Sequence, residues 1–413
     1  MRYDKMTIKY VKASAILIIS AVILFNLCSC KADVVDTTSD VIITETSTEI
    51  STETEAVTTD EETKEAEMKL KENITFEQSE EIIIRPFSWA PRVYEAGDGE
   101  LISGYETPEG IKTAKSKDGG KTWYGEADAS FFQSLNCANV NFFFDGKRLY
   151  LAYRAVGNTD KGLYTSLQVS VSEDNGKSWS YHSTVAEYTD GKGGCGVWEP
   201  YLGLLNGRLI CMYANDHPSV TKYQNIEYLV WNGTEWTERT VISDGNAHKS
   251  RDGMPVWCEL PDGGYLCIIE STAERNKGYP FVLKLFYSAD GLSWSEPKTV
   301  YTPATKKSKA AAPGVAVLPD GRLAVSFQTD EDATVKGDSQ SVMKIMFSDG
   351  TSVKELDSTH FSEPENIFGT PDGESSVWSG IFYRDGVIYA SAGTKNGSSL
   401  KTAGVFLSAG DEK

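Results

Sequence analysis

Histidine and cysteine are scarce in this 413-residue sequence, which contains four histidines and seven cysteines. Cys28 and Cys30 lie in the apolar N-terminal segment, which leaves five cysteines, an odd number without C-x-x-C spacing. The histidines are far apart, at His182, His217, His248 and His360. These patterns favour neither a zinc site nor a complete disulfide framework. We therefore expect no bound metal and no cofactor.

Basic residues are outnumbered, because 40 Lys and Arg stand against 59 Asp and Glu, a formal net charge of −19. An acidic chain lacks the positive surface that binds a phosphate backbone, so we expect no nucleic-acid partner. More than half of the excess, a net −12, falls on residues 31–81. That part of the charge carries no information about an active site. We expect the protein to be a monomer.

One long hydrophobic run, Ala13 to Leu27, follows four basic residues near the N-terminus. It is short for a transmembrane helix and has the pattern of a secretory signal. Its end, Leu27-Cys28-Ser29-Cys30, resembles the bacterial lipobox, in which the cysteine after the cleavage site is acylated. The resemblance implies that residues 1–29 are a lipoprotein signal peptide and that Cys30 is a lipid anchor, holding the protein on the bacterial cell surface, facing the exterior. A plain signal peptide or an uncleaved anchor is the alternative.

Aromatic residues are almost absent from the segment that follows. Between positions 37 and 63, 13 of 27 residues are Ser or Thr, interleaved with Glu. Such a segment cannot bury enough apolar area to offset the entropy lost on ordering. We expect residues 30–72 to be a disordered tether and residues 73–413 to be the folded catalytic domain.

A repeat organises the rest of the chain. The motif S-x-D-x-G-x-x-W occurs as SKDGGKTW from Ser116 and SEDNGKSW from Ser172, with the shorter SADGLSW from Ser288. These strings are Asp boxes, in which Asp and Gly suit a tight turn between strands and Trp packs beneath a neighbouring strand. With degenerate copies at Gly233 and Asp349, the markers are 56, 59, 57 and 59 residues apart. A phased series of this kind indicates one repeated supersecondary unit.

A second series of turns has the same phase. The six turns are Asp98-Gly99, Asp145-Gly146, Asn206-Gly207, Asp262-Gly263, Asp320-Gly321 and Asp385-Gly386. Each lies between apolar, β-branched or aromatic runs, which is a hairpin signal. We therefore predict an all-β fold, a six-bladed β-propeller of four-stranded antiparallel blades. We also expect a proline at the start of the first strand in four blades, and closure of the ring by the segment Glu81 to Ile84.

In this blade order, the start of each first strand and the end of each second strand share one rim. Acids, arginines, amides and tryptophans there suit a sugar site, in which aromatic rings stack on the sugar and carboxylates act as acid and base. Glu199 and Glu270 are the candidate catalytic residues, because they occupy facing positions on blades three and four. The candidate substrate-binding residues are Arg92, Asn139, Arg154, Trp198, Asn215, Asp216, Arg251, Asp252 and Trp378.

Several of these positions resemble glycoside hydrolase family 93, the exo-arabinanases of the sialidase-like propellers. The resemblance covers roughly residues 85–300 and rests on Trp198-Glu199-Pro200-Tyr201-Leu202, Tyr213-Ala214-Asn215-Asp216, the segment Arg251 to Val256, and Ile269-Glu270. It implies an exo-acting hydrolase of an oligo- or polysaccharide, which the lipid anchor implied by the lipobox resemblance would hold at the surface. It further implies a retaining mechanism on α-1,5-arabinan ends, with Glu199 and Glu270 as the catalytic pair.

Two other functions remain open. A sialidase shares the propeller and the Asp boxes, and Arg92, Arg154 and Arg251 are three rim arginines. A sialidase, however, needs an arginine triad for the substrate carboxylate, and blades three and four offer Asn215 and Glu270 at the second-strand ends instead. A non-catalytic carbohydrate-binding propeller is the other alternative, since fold does not dictate function.

Overall fold

The computed structural model describes residues 74–132, 134–190, 194–217, 221–261, 263–349, 354 and 359–407. The predicted signal peptide 1–29, the tether 30–72 and the anchor Cys30 lie outside the described residues. None of the helices in the described part of the chain is long and apolar enough to cross a membrane.

Within the described residues, twenty-five strands make up almost all of the regular structure. In chain order they are β1 (Ile74–Gln78), β2 (Ile82–Arg85), β3 (Trp89–Glu95), β4 (Leu101–Thr107), β5 (Gly110–Ser116), β6 (Tyr124–Asp128), β7 (Asn136–Phe144), β8 (Leu149–Thr159), β9 (Gly162–Ser172), β10 (Ser180–Asp190), β11 (Val197–Leu205), β12 (Arg208–Asn215), β13 (Asn225–Trp231), β14 (Trp236–Ser243), β15 (Asp252–Glu259), β16 (Tyr265–Ser271), β17 (Val282–Ser288), β18 (Lys298–Tyr301), β19 (Ala310–Val317), β20 (Leu323–Thr329), β21 (Val342–Phe347), β22 (Glu365–Phe368), β23 (Val377–Arg384), β24 (Val387–Thr394) and β25 (Gly397–Leu407). The described residues also contain one helical turn, α1 (Gly245–His248), and two 3₁₀ turns, Arg275–Lys277 and Asp338–Gln340.

The strands form six antiparallel sheets, which confirms the predicted six-bladed propeller. Five sheets contain four consecutive strands each, beginning with β3, β7, β11, β15 and β19. Within each of these sheets the spatial order of the strands follows the chain, so every connection inside a blade is a hairpin. Six clusters of buried apolar side chains hold the blades together, one between each pair of neighbouring blades. The core is therefore a ring of interfaces between sheets.

The turn glycines explain why the repeat is visible in the sequence. All six predicted turn glycines have positive φ, between 74° and 89°, a conformation that costs glycine little. The residues before two of them, Asn206 and Asp385, also have positive φ, as a type I′ hairpin turn requires. In the second repeat, Asp174 accepts the Ser178 N–H at 2.9 Å, and the Trp179 indole donates to Thr113 of the neighbouring blade at 3.1 Å.

The sixth sheet closes the ring with the N-terminal segment, as predicted. Strand β2 pairs with β25, with Ile82 opposite Leu400, and β1 pairs with the remainder of β25. The closing segment therefore begins at Ile74, earlier than the sequence pattern indicates. Closure of this kind leaves no unpaired edge between the first and last blades.

The closure predicts unequal effects for two adjacent isoleucines of β2. Ile84 is 6% exposed and packs with Val93 and Leu400, whereas Ile83 is 46% exposed. We expect Ile84→Ala to lower the free energy of unfolding by about 2–5 kcal/mol, because it leaves a cavity between the first and last blades. Ile83→Ala is the matched control and should change it by no more than about 0.5 kcal/mol. Equal denaturant midpoints for the two variants would show that β2 does not stabilise the closure.

Candidate active site

A β-bulge in every first strand shapes the rim. At each bulge one residue has left-handed backbone conformation, with φ between 46° and 60°; these residues are Ala90, Asn139, Glu199, Met254, Ala312 and Trp378. The pairing register shifts at all six positions. A bulge bends the strand and redirects the side chains beside it, and left-handed backbone is costly for residues other than glycine. Six occurrences at one position therefore indicate a constraint imposed by the fold.

The prolines of the first strands lie within these bulges. Pro91, Pro200, Pro255 and Pro313 each follow the left-handed residue directly, well inside their strands. The expectation that they begin the strands is therefore wrong. Proline still costs no ladder hydrogen bond at these positions, because a bulged residue has no partner on the neighbouring strand.

Side chains of one blade accept the bulge N–H groups of the next. We call these contacts bulge hydrogen bonds. They are Asn139 N to Glu106 Oε1 at 2.9 Å, Met254 N to Glu199 Oε2 at 2.5 Å, Ala312 N to Glu270 Oε2 at 3.0 Å and Trp378 N to Gln328 Oε1 at 2.8 Å. Each acceptor has one oxygen fixed by a neighbouring blade. Carboxylates are thereby held at the rim in defined orientations.

The structure brings Glu199 and Glu270 together beneath one arginine. Arg251 donates to Glu270 Oε1 from Nη1 at 2.8 Å, and its Nη2 is 3.6 Å from Glu199 Oε1. The two carboxylate side chains are 13% and 7% exposed, while that of Arg251 is 42% exposed. The guanidinium group therefore faces solvent, with the two acids behind it.

Gly253 gives an upper limit for the distance between one oxygen of each carboxylate. A Cβ atom placed on this glycine would be 3.0 Å from Glu199 Oε2 and 3.2 Å from Glu270 Oε1. The sum of these distances, 6.2 Å, is the largest possible separation of the two oxygens. Glycine leaves the space between the acids open.

The electrostatic surroundings of Glu199 favour its protonated form. Burial raises the pKa of its carboxyl, and the nearby charge of Glu270 reinforces the rise, whereas Arg251 and the Met254 N–H oppose it. A carboxyl group in such a position can carry a proton at a pH where an exposed glutamate would be ionised.

Trp198, Asp216 and Arg154 lie beside this pair. The Trp198 indole donates to Asp216 Oδ1 at 3.0 Å, and Asp216 also accepts the Gly196 N–H. Burial raises the pKa of Asp216, and these two hydrogen bonds oppose the rise. The Arg154 guanidinium lies 5.6 Å from the centre of the Trp198 ring. The structure therefore groups Arg154, Trp198 and Asp216 next to Glu199.

Two predicted substrate-binding residues point elsewhere. The Asn215 amide donates to the buried carboxylate of Glu227 at 2.7 Å. Asp252 is buried and accepts hydrogen bonds from Ser243 Oγ at 2.5 Å and Ser271 Oγ at 2.6 Å. Both side chains are occupied by contacts between strands, so the structure does not bring them to the two glutamates.

Arg92 and Trp378 lie on the first and last blades. A cavity of about 270 Å³ follows the propeller axis and is lined by the first strands of all six blades. Arg92 lines it and donates to the carbonyl oxygens of Trp378 at 2.6 Å and Pro91 at 2.9 Å. Trp378 is 40% exposed and belongs to the blade across the axis from Glu199. These two residues therefore do not contact the glutamate pair.

Glu106 is a rim carboxylate to which the sequence analysis assigns no role. It pairs with Trp89, the residue before the first bulge, as Glu270 pairs with Gly253 and Gln328 with Ala311. The repeat in the sequence already places Glu106 at a second-strand end on the rim, and the alignment of the blades on their bulges adds that it shares the position of Glu270 and Gln328. Within the described residues, no group of three or more His, Cys, Asp or Glu side chains is arranged to hold a metal ion.

Comparison with known proteins supports the fold. No protein-family model matches the sequence, and no curated protein matches it. Among solved structures, the α-L-arabinanase of Penicillium chrysogenum complexed with arabinobiose is 18% identical, with a TM-score of 0.58 over 79% of this chain and 98% of that chain. The glycoside hydrolase family 93 α-L-arabinofuranosidase of Fusarium graminearum, also complexed with arabinobiose, has the same identity and TM-score over 80% and 98%. A sialidase of Streptococcus pneumoniae is 13% identical, with a TM-score of 0.54 over 79% and 70%.

Proposed function

We propose that this protein is an exo-acting glycoside hydrolase that retains anomeric configuration, resembling the exo-α-1,5-L-arabinanases. One observation carries the proposal: two largely buried glutamates from adjacent blades lie together at the rim and contact one arginine. Paired carboxylates at short distance are the machinery of glycoside hydrolysis.

The separation of the pair favours retention. In retaining enzymes the two carboxyl groups are about 5–5.5 Å apart, whereas inverting enzymes leave about 6.5–9.5 Å for a water molecule. The upper limit of 6.2 Å between Glu199 Oε2 and Glu270 Oε1 lies below the inverting range. A direct attack by one carboxylate on the sugar therefore fits the site better than attack by an interposed water.

The surroundings of the two glutamates suggest their roles. Glu270 receives the Arg251 guanidinium at 2.8 Å and the Ala312 N–H at 3.0 Å, both of which stabilise a negative charge. We assign it as the nucleophile, which attacks the anomeric carbon and forms a glycosyl ester. Glu199, whose pKa is raised by burial, donates its proton to the departing glycosidic oxygen. As a carboxylate it then takes a proton from water, which attacks the ester and frees Glu270.

The arginine geometry favours a neutral sugar over sialic acid. Arg251 is engaged by the two glutamates, Arg92 by backbone carbonyls along the axis, and Arg154 lies over Trp198. Two of the three guanidinium groups, those of Arg251 and Arg92, are therefore already engaged by groups of the protein. The arabinobiose in the Penicillium and Fusarium structures is neutral, and we propose an α-L-arabinofuranosyl chain end for this protein.

A substrate screen tests this function. The purified protein should release reducing sugar from debranched arabinan, as arabinose or short oligosaccharides. It should release no reducing sugar from other plant polysaccharides and no sialic acid from sialyllactose. Rapid release of sialic acid would make the protein a sialidase. Binding of arabinan without any release would leave it a carbohydrate-binding propeller.

We also propose that Cys30 anchors the protein to the bacterial cell surface, since the lipobox resemblance places the acylated cysteine there. Cys30→Ala should release the protein into the growth medium, because Cys30 is the residue that the lipobox resemblance marks for acylation. Cys28→Ala, two residues earlier, is the matched control and should stay in the membrane fraction. Membrane retention of the Cys30 variant would indicate an uncleaved N-terminal segment.

A further inference from the structure

A second acid and base pair lies on the same rim, at blades one and two. Glu106 ends the second strand of blade one, and Arg154 occupies the matching position on blade two, opposite Ala138. Both side chains are half-buried. Each affects the pKa of the other electrostatically, yet among the described residues neither forms an ion pair within 4.0 Å. The two charges are therefore neighbours without direct contact.

Glu270, which occupies on blade four the position of Glu106 on blade one, is in direct contact with Arg251. Their atoms are 2.8 Å apart, so no group fits between them. Glu106, at the equivalent position of its own blade, uses Oε1 for the Asn139 N–H, and no arginine in the described part of the chain lies within 4.0 Å of its carboxylate. The same position thus has a closed pair on blade four and an open one on blades one and two.

Hydrogen-bonding capacity around the open pair is unused. Among the residues that the structure describes, Arg154 makes one side-chain hydrogen bond, from Nη2 to Asn136 Oδ1 at 3.3 Å, and its buried Nε has no partner. Asn139 Oδ1 is likewise buried without a partner. A guanidinium group has five N–H donors and a carboxylate several acceptor positions, and unpaired polar groups in such a place are costly. A ligand that both donates and accepts would satisfy both charges.

We propose that Glu106 and Arg154 hold one hydroxyl group of the substrate between them, the hydroxyl donating to Glu106 and accepting from Arg154. This inference rests on the proposed function. Trp198, whose ring lies 5.6 Å from the Arg154 guanidinium, immediately precedes Glu199 in the chain. The hydroxyl therefore belongs to a neutral sugar unit at or next to the cleaved bond. A sugar that lacks it leaves both charges unpaired and is disfavoured.

Two variants at one position separate binding from a purely structural role. Glu106→Gln keeps an oxygen for the Asn139 N–H, as Gln328 already provides for Trp378 on blade six. It weakens the acceptor for the hydroxyl, so KM for α-1,5-arabinotriose should rise about tenfold or more, with an unchanged melting temperature. Glu106→Ala loses both contacts and should raise KM and lower the melting temperature. A wild-type KM for Glu106→Gln, or a melting temperature as low as that of the alanine variant, would overturn the proposal.

A double-mutant cycle tests whether one hydroxyl is shared. Arg154→Met alone should also raise KM, and the double variant should lose less than the product of the two single effects, because each change releases the same hydroxyl group. A double variant whose KM increase equals the product of the two single increases would contradict the shared hydroxyl.

Failure here is distinguishable from failure of the proposed function. If the wild-type protein neither cleaves nor binds any neutral saccharide, both proposals are wrong. If it cleaves arabinan and Glu106→Gln has the wild-type KM, only the hydroxyl subsite is wrong.

Discussion

Glu270→Gln should lower kcat on arabinan oligosaccharides by about 10⁴-fold or more, because an amide cannot form the glycosyl ester. The fold should persist, since the amide oxygen can still accept the Ala312 N–H that Glu270 Oε2 accepts at 3.0 Å. The matched control is Glu259→Gln, an exposed glutamate at the opposite end of the same pair of strands. Its kcat should equal that of the wild type. Substantial turnover by Glu270→Gln, with an intact circular-dichroism spectrum, would remove Glu270 from the mechanism.

Azide distinguishes a nucleophile from a residue that merely binds. Glu270→Ala leaves room beneath the anomeric carbon, and azide entering there should form a glycosyl azide of inverted configuration. The same experiment on Glu199→Ala should give the retained configuration, because azide then attacks the glycosyl ester on Glu270. NMR of the products determines the anomeric configuration of each glycosyl azide. If Glu270→Ala gave the retained product and Glu199→Ala the inverted one, the assigned roles would be reversed.

Glu199→Gln should have an effect that depends on the leaving group. For arabinan oligosaccharides, whose leaving alkoxide needs a proton, kcat/KM should fall by about 10²–10⁴-fold. For an aryl α-L-arabinofuranoside with an acidic phenol as leaving group, kcat/KM should change little, since that group departs without a proton. Equal losses on both substrates would mean that Glu199 is not the acid.

The pH profile gives an independent measure of the same role. Glu199 must be protonated to act as an acid, so kcat/KM on oligosaccharides falls as pH rises through its pKa. Burial raises that pKa, with the charge of Glu270 adding to the effect, so the alkaline limb should lie above the ordinary glutamate range. Glu199→Gln has no proton to lose, and its profile should lack this limb. Persistence of the limb in the variant would assign it to another group.

The sequence by itself determined the number of blades, their order and the closure of the ring. Those features depend on local chemistry: glycines with positive φ recur at six hairpin turns, and alternating apolar residues mark the strands between them. The same local phase placed Glu199 and Glu270 on facing positions of adjacent blades. Their proximity is therefore a consequence of the repeat, which the sequence carries directly.

Only the tertiary structure decided which side chains face the site. Each first strand contains a bulge, and one extra residue in a strand reverses the faces of the side chains beyond it. No local pattern reveals such a shift, and Asp252, which directly precedes the bulge of its strand, lies in contacts with Ser243 and Ser271. Asn215 is misplaced for another reason. On blade three Ala214 holds the position that Glu270 holds on blade four, so Asn215, one residue further along, contacts Glu227 instead. The separation of the two glutamates, and the position of Glu106, depend on hydrogen bonds between blades. Such bonds join residues 33 to 55 positions apart, Asn139 to Glu106 and Met254 to Glu199, and they exist only once the propeller has closed.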